Sequence, residues 1–210
     1  MFLKLTHRRL YEDHAGAAVA VPAPVEGQYE SQAVKRLLER LAARPRQRVL
    51  ELGVVAGEAV TTLAEAGAVV RVHDVITSMA ACLGEEEPDF SGLLADVPVA
   101  PRSVDVVLAW ELFDLLPFPA ARLVLAEMAE WLAPKGVLIA VFHFAVAEQY
   151  HRFRLAPDGV IRADPVADLA APSPVVTNSE MSELFKGFKL IHSSLVRGQV
   201  REVMVQRRDG

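Results

Sequence analysis

Residues 48–60 read RVLELGVVAGEAV: an apolar run that ends in an acid, two glycines at 53 and 57, then helix formers. The run predicts a short strand buried on both faces. The residues after Gly57 predict a helix over about 57–66 that stops at Gly67. Such a corner has two uses. It seats a nucleotide-like ligand on free amides at the helix N-terminus, or it only packs. Glu51, placed where a buried strand prefers another apolar residue, favours the first use.

The rest of the chain extends this corner into an α/β pattern. SQAVKRLLERLAARP, upstream, has Val34, Leu37, Leu38 and Leu41 on one helical stripe. Downstream, AVVRVHD is a second strand, followed by a helix through Met79 to Leu83. SGLLAD is expected as a short third strand, SVDVVLAWEL as a fourth and GVLIAVFHF as a fifth. PAARLVLAEMAEWLAPKG is a helix between the last two, closed by Pro134 and Gly136. Strands alternating with helices of this length imply parallel pairing through right-handed crossovers. Beyond residue 146 the rhythm changes. YHRFRLAPDGVIRAD reads as two strands around a Pro-Asp-Gly turn, and TNSEMSELFKGF as a short helix capped by Asn178 or Ser179. FKLIHSSLV and REVMVQRR form a terminal antiparallel hairpin turning at Gly198.

Composition sets limits. The chain of 210 residues suits one sizeable domain, and 52% hydrophobic with 23% charged residues is globular. A net charge of -5 offers no general attraction to nucleic acid, and none is expected as a partner. The single cysteine, Cys82, forbids an intrachain disulfide and a cysteine-rich zinc site; it reads as a small buried hydrophobe, and no metal site is expected. The N-terminus lacks a signal-peptide core, and the apolar run at 15–25 carries prolines and is too short to span a bilayer, so the expected location is cytoplasmic.

Acids recur at the strand ends where open parallel sheets bind ligands. Glu51 ends the first strand of the corner, Asp74 the second and Asp96 the third. A carboxylate at Asp74 suits ribose hydroxyls and one at Asp96 a base amine, although strand-end acids also cap turns. On these segments the chain resembles the class I S-adenosylmethionine-dependent methyltransferases over residues 30–208. VLELGVVAG is similar to their glycine-rich motif and VHD to their ribose-holding acid. LLADVPVAPRSVDVVLAWELFDLLP resembles their adenine-side acid and fourth strand, LAEMAEWLAPKGVLIAV their long helix and fifth strand, and GFKLIHSSLVRGQVREVMVQRR their last two strands.

The resemblance implies a Rossmann-like α/β fold: a seven-stranded, mostly parallel sheet with helices on both faces and the antiparallel hairpin at its end. It implies a methyltransferase-like domain over 30–210, preceded by an arm or lid over 1–29, with 146–177 as a substrate-side hairpin insertion. S-adenosylmethionine is the implied cofactor, held by Glu51, Gly53, Val55, Gly57, Asp74, Val75, Asp96, Val97 and Trp110. Val55 departs from the family, which has glycine at that point of the motif. A branched side chain there resists positive φ, so the loop is either re-routed or closed to the cofactor.

Methyl transfer from a sulfonium is a single displacement that needs alignment more than a fixed triad. A hydroxyl or amine acceptor benefits from a base, for which Glu111 and His143, at the fourth and fifth strand ends, are the candidates. Their bland readings are a turn cap and a hydrogen-bonded core histidine. Trp110 either walls the pocket or belongs to the core. His151, Arg152 and Arg154 either recognise an anion or form a solvated basic strand. The expected partner is a small-molecule substrate, with no membrane, and the apolar arm allows a homodimer. Two alternatives stay open. One is a non-catalytic methyltransferase-like scaffold that has lost the cofactor, argued from Val55. The other is a nicotinamide-dependent oxidoreductase, which the missing Gly-x-Gly-x-x-Gly pattern disfavours.

Overall fold

The computed structural model describes residues 27–54, 56–76, 79, 90, 92–143, 150–166, 176–196 and 200–208. Val55, Cys82, the Gly198 turn and the arm up to residue 26 therefore lie outside the described residues. In chain order the elements are β1 (Gly27–Glu30), α1 (Gln32–Ala43), β2 (Arg48–Leu52), α2 (Gly57–Glu65), β3 (Val69–His73) and β4 (Val104–Leu108). A short 3₁₀ turn, Leu112–Leu115, leads to α3 (Phe118–Trp131) and β5 (Leu132–His143). The chain continues with β6 (Tyr150–Leu155), β7 (Val160–Val166), α4 (Asn178–Leu184), β8 (Phe188–Val196) and β9 (Val200–Arg207).

Among the described residues the central sheet has six strands in the order β3-β2-β4-β5-β9-β8. The β3-β2-β4-β5 block is parallel, as continuous apolar runs separated by helices require. β9 then inserts antiparallel between β5 and β8. A second sheet, β1-β7-β6, is antiparallel throughout.

Alternation along the central strands sends side chains to two cores. Leu50, Leu52, Val107, Leu138, Phe142 and Val205 pack against α3 and α4 on one face. Val49, Val106, Leu108, Ile139 and Met204 pack on the other against α1, α2 and the inner residues of the small sheet, Phe153, Leu155 and Ile161. α1 starts where Ser31 accepts a hydrogen bond from the Val34 amide at 3.0 Å, and buries Ala33, Val34, Leu37 and Leu41. α2 ends into Gly67, whose φ of +93 suits glycine and whose position against Pro45 leaves little space for a side chain.

Three expectations are corrected. Residues 92–96 of SGLLAD are not a strand, so among the described residues the central sheet has six strands rather than seven. Amides there are taken by local turns, Leu93 to the Phe90 carbonyl at 3.2 Å, Ala95 to Gly92 at 3.0 Å and Val97 to Leu94 at 3.0 Å. Adjacent Leu93 and Leu94 both reach the core, which an alternating edge strand would not allow. The cap of α4 is Thr177, not Asn178 or Ser179; it forms a reciprocal capping box with Glu180. α3 stops at Trp131, ahead of Pro134 and Gly136, which already lie in β5.

Candidate functional site

The carboxyl ends of β2, β4 and β5 meet the N-terminal end of β6, and Glu51, Trp110, Glu111 and His143, four of the predicted site residues, lie there. Glu51 is wholly buried in the last turn of β2. Its Oε1 accepts a hydrogen bond from Trp110 Nε1 at 3.1 Å, while its Oε2 has no partner. Burial pushes the Glu51 carboxyl up to about 7, against the opposing effect of the tryptophan hydrogen bond.

Gly53 follows with φ +157. A methyl group there would meet Trp110 Cδ1 at 3.1 Å and Tyr150 Oη at 3.7 Å. The glycine therefore gives Trp110 and Tyr150 their space. Trp110 itself has φ +28, a strained value for a bulky residue. It is held by the Glu51 bond, by a stack on Phe153 with centroids 5.1 Å apart, and by its carbonyl accepting from the Val141 amide at 2.9 Å. Of its two proposed uses, pocket wall and core, these contacts and its burial carry the core role.

Glu111 and His143 are brought together. Glu111 Oε1 lies 2.5 Å from His143 Nε2 and 2.9 Å from His151 Nδ1, and Oε2 accepts from the His151 amide at 2.9 Å. All three residues are buried. Burial works to raise the Glu111 carboxyl, but hydrogen bonds from both imidazoles outweigh it and leave the group below its usual range. For His143 burial works downward and the Glu111 bond outweighs it, so the imidazole is more basic than usual. Asp114, one turn beyond Glu111, accepts from the His143 amide at 2.8 Å through Oδ2, and its buried Oδ1 has no partner. Burial first, then Glu111, raises the Asp114 carboxyl to about 8 against the His143 interactions.

His151 is not part of a solvated strand. It faces inward on β6 beside Phe153 and Leu155, whereas Arg154, on the opposite face, pairs with Glu58 and Asp164. Asp114 and Tyr150 were not singled out in the sequence; His151 was, as an anion contact or part of a solvated strand, and not as a partner of Glu111. The signal for His151 was present: in YHRFRL it shares the period-two face of Phe153 and Leu155.

Of the remaining predicted residues, Asp74 is half-buried at the end of β3 and accepts from the Ile76 amide at 3.1 Å; Val75 is buried. Asp96 is exposed and Val97 buried in the turns that replace the third strand, and Gly57 is exposed at the start of α2. The buried Tyr150 hydroxyl draws these ends together. Burial, and after it the charges of Glu111, Asp114, Asp74 and Glu51, hold its proton well above the usual range. His143 lines a cleft of about 270 Å³ with Phe142, Val176, Thr177, Met181 and Arg201.

Comparisons agree with this architecture. The family model for the methyltransferase domain matches residues 50–140, from β2 into β5. No curated protein matches the sequence. Among solved structures, a methyltransferase from Methanosarcina mazei superposes with a TM-score of 0.53 at 13% identity, over 81% of this chain and 96% of that one. The 1,6-didemethyltoxoflavin-N1-methyltransferase of Burkholderia thailandensis, solved with S-adenosylhomocysteine, gives 0.51 at 16% identity, over 85% and 79%. The N-methyltransferase NodS of Bradyrhizobium japonicum, also with S-adenosylhomocysteine, gives 0.50 at 16% identity, over 85% and 86%. Residues 50–140 are thus similar to the methyltransferase-domain model, and the chain shares the fold of these solved structures.

Proposed function

We propose that the protein binds S-adenosylmethionine at the carboxyl ends of β2, β3 and β4 and transfers its methyl group to a small molecule in the adjoining cleft. The observation that carries this reading is the buried Glu51 at the carboxyl end of β2, held by Trp110 beside Gly53, with Glu51 Oε2 and the Tyr150 hydroxyl lacking partners. A buried acid with an unpaired oxygen is costly alone and complementary to a cation. The residues therefore fit a ligand that carries an ammonium and a sulfonium. When bound, that cofactor supplies an electrophilic methyl group.

The chain's own residues do the rest. Glu51 faces the ligand's positive charge while Trp110 fixes its carboxylate. Asp74, which follows β3, is the carboxylate assigned here to the ribose hydroxyls, with Val75, Asp96 and Val97 as the further residues proposed for the seat. Phe142, Val176 and Met181 give the acceptor cleft an apolar wall, and Arg201 and Thr177 give it polar contacts. His143 opens onto that cleft, and its basicity, raised by Glu111, suits it to take a proton from a hydroxyl or amine.

Calorimetric titration with S-adenosylmethionine and S-adenosylhomocysteine tests the reading. Binding by the parent protein, weakened at least tenfold in Glu51→Gln and several-fold in Asp74→Ala with the fold intact, is the expected outcome. Equal affinity in all three proteins would place the ligand elsewhere.

A further inference from the structure

Glu111, His143 and His151 come from three separate elements: the turn after β4, the end of β5 and the start of β6. Their ligand-type atoms, Glu111 Oε1, His143 Nε2 and His151 Nδ1, all lie within 4.8 Å of one another, and all three residues are buried. Two imidazoles converging on one carboxylate oxygen is more than a general base requires, since orienting His143 needs only one of these contacts. We propose that these three residues form a binding site for a divalent transition-metal ion, of the zinc or iron(II) class.

The donor set and its surroundings support this. Two imidazole nitrogens and one carboxylate oxygen suit borderline first-row ions, whereas calcium and magnesium prefer oxygen shells. Metal–ligand distances of about 2.0–2.2 Å place neighbouring ligand atoms roughly 3 Å apart. The observed 2.5 and 2.9 Å separations from Glu111 Oε1 need only a small opening to admit an ion. The carboxylate is already aimed, because its other oxygen is held by the His151 amide at 2.9 Å. Asp114 Oδ2 holds the His143 backbone by accepting from its amide at 2.8 Å, which fixes the end of β5 that carries this ligand.

Three protein ligands leave a coordination position open, as in catalytic rather than structural sites. His143 also lines the acceptor cleft, so that cleft is the route of entry. Occupancy would tie the small sheet, through His151, to the end of the central sheet. It would also let the ion, in place of the imidazole, lower the pKa of an acceptor hydroxyl. This last consequence rests on the methyl-transfer reading; the site itself does not.

The test uses the full chain, stripped with a chelator and dialysed. Titration with Zn²⁺, and with Co²⁺ as a spectroscopic probe, is followed by calorimetry, absorption and thermal melting, without S-adenosylmethionine. The expected result is one ion per chain, a raised melting temperature, and at least a tenfold loss of affinity in both His151→Ala and Glu111→Gln. Circular dichroism checks the fold of each variant; if one fails to fold, His143→Ala replaces it. Failure to bind either ion stoichiometrically, or binding that survives these substitutions, overturns the proposal. Cofactor titration of the stripped protein reads the methyl-transfer assignment separately, so either can fail alone.

Discussion

Glu51 joins the fold of this protein to its proposed chemistry. A carboxyl whose folded-state value is raised from 4.5 to about 7 is held more tightly protonated in the folded chain than in the unfolded one. The folded state therefore loses stability as pH rises from the unfolded value through about 7, by a total on the order of 3 kcal/mol. Glu51→Gln keeps an acceptor for Trp110 and removes the titration. The variant should be more stable than the parent above pH 7 and similar near pH 4, which denaturant melts at a series of pH values will read. A parallel pH profile in the two proteins would show that Glu51 is solvated. A destabilising acid kept at a ligand-facing strand end is what a cation site requires. Its neighbours Trp110, at φ +28, and Gly53, whose missing side chain makes room for that tryptophan, carry the same mark of local cost.

At the scale of elements, α4 supplies a test of the acceptor cleft. Thr177 accepts from the Glu180 amide at 3.2 Å and donates through its hydroxyl to Glu180 Oε2 at 2.7 Å, while Glu180 returns a bond to the Thr177 amide. Thr177→Ala removes half of this box and should cost about 1 kcal/mol, or roughly 2–4 °C in melting temperature for a chain of this size. Because Thr177 lines the cleft and not the Glu51 corner, affinity for S-adenosylmethionine should be unchanged in the same variant. A fall in that affinity would mean that α4 belongs to the cofactor seat.

Elements also show what the sequence made legible. β2, β4 and β5 were readable because strands covered on both faces are written as unbroken apolar runs, and helices between them force parallel order. The β6 and β7 pair was readable from its Pro-Asp-Gly turn. The missing third strand was not, because Leu93 and Leu94 look the same in a strand as in turns that press both into the core. At the site, Glu51, Glu111 and His143 were identified by their places at strand ends. His151 was obscured by the arginines beside it and by the 40 residues that separate it from Glu111, a contact created only when the small sheet folds over the large one.

For the whole molecule, charge is gathered where the sheet ends. Glu51 lies at the end of β2, Asp74 follows β3, and Glu111 and Asp114 follow β4, with Glu111 held by the His151 amide at the start of the small sheet's β6. A positively charged ligand relieves this arrangement by pairing with Glu51, and pairing favours the ionised carboxyl. Calorimetric titration of the parent protein with S-adenosylmethionine between pH 5.5 and about 8.5 therefore tests the central claim most directly. The account predicts binding that is flat above pH 7, weakens by up to tenfold for each unit below it, and releases protons on the acid side. No binding at any pH, or an affinity indifferent to pH across this range, would contradict it.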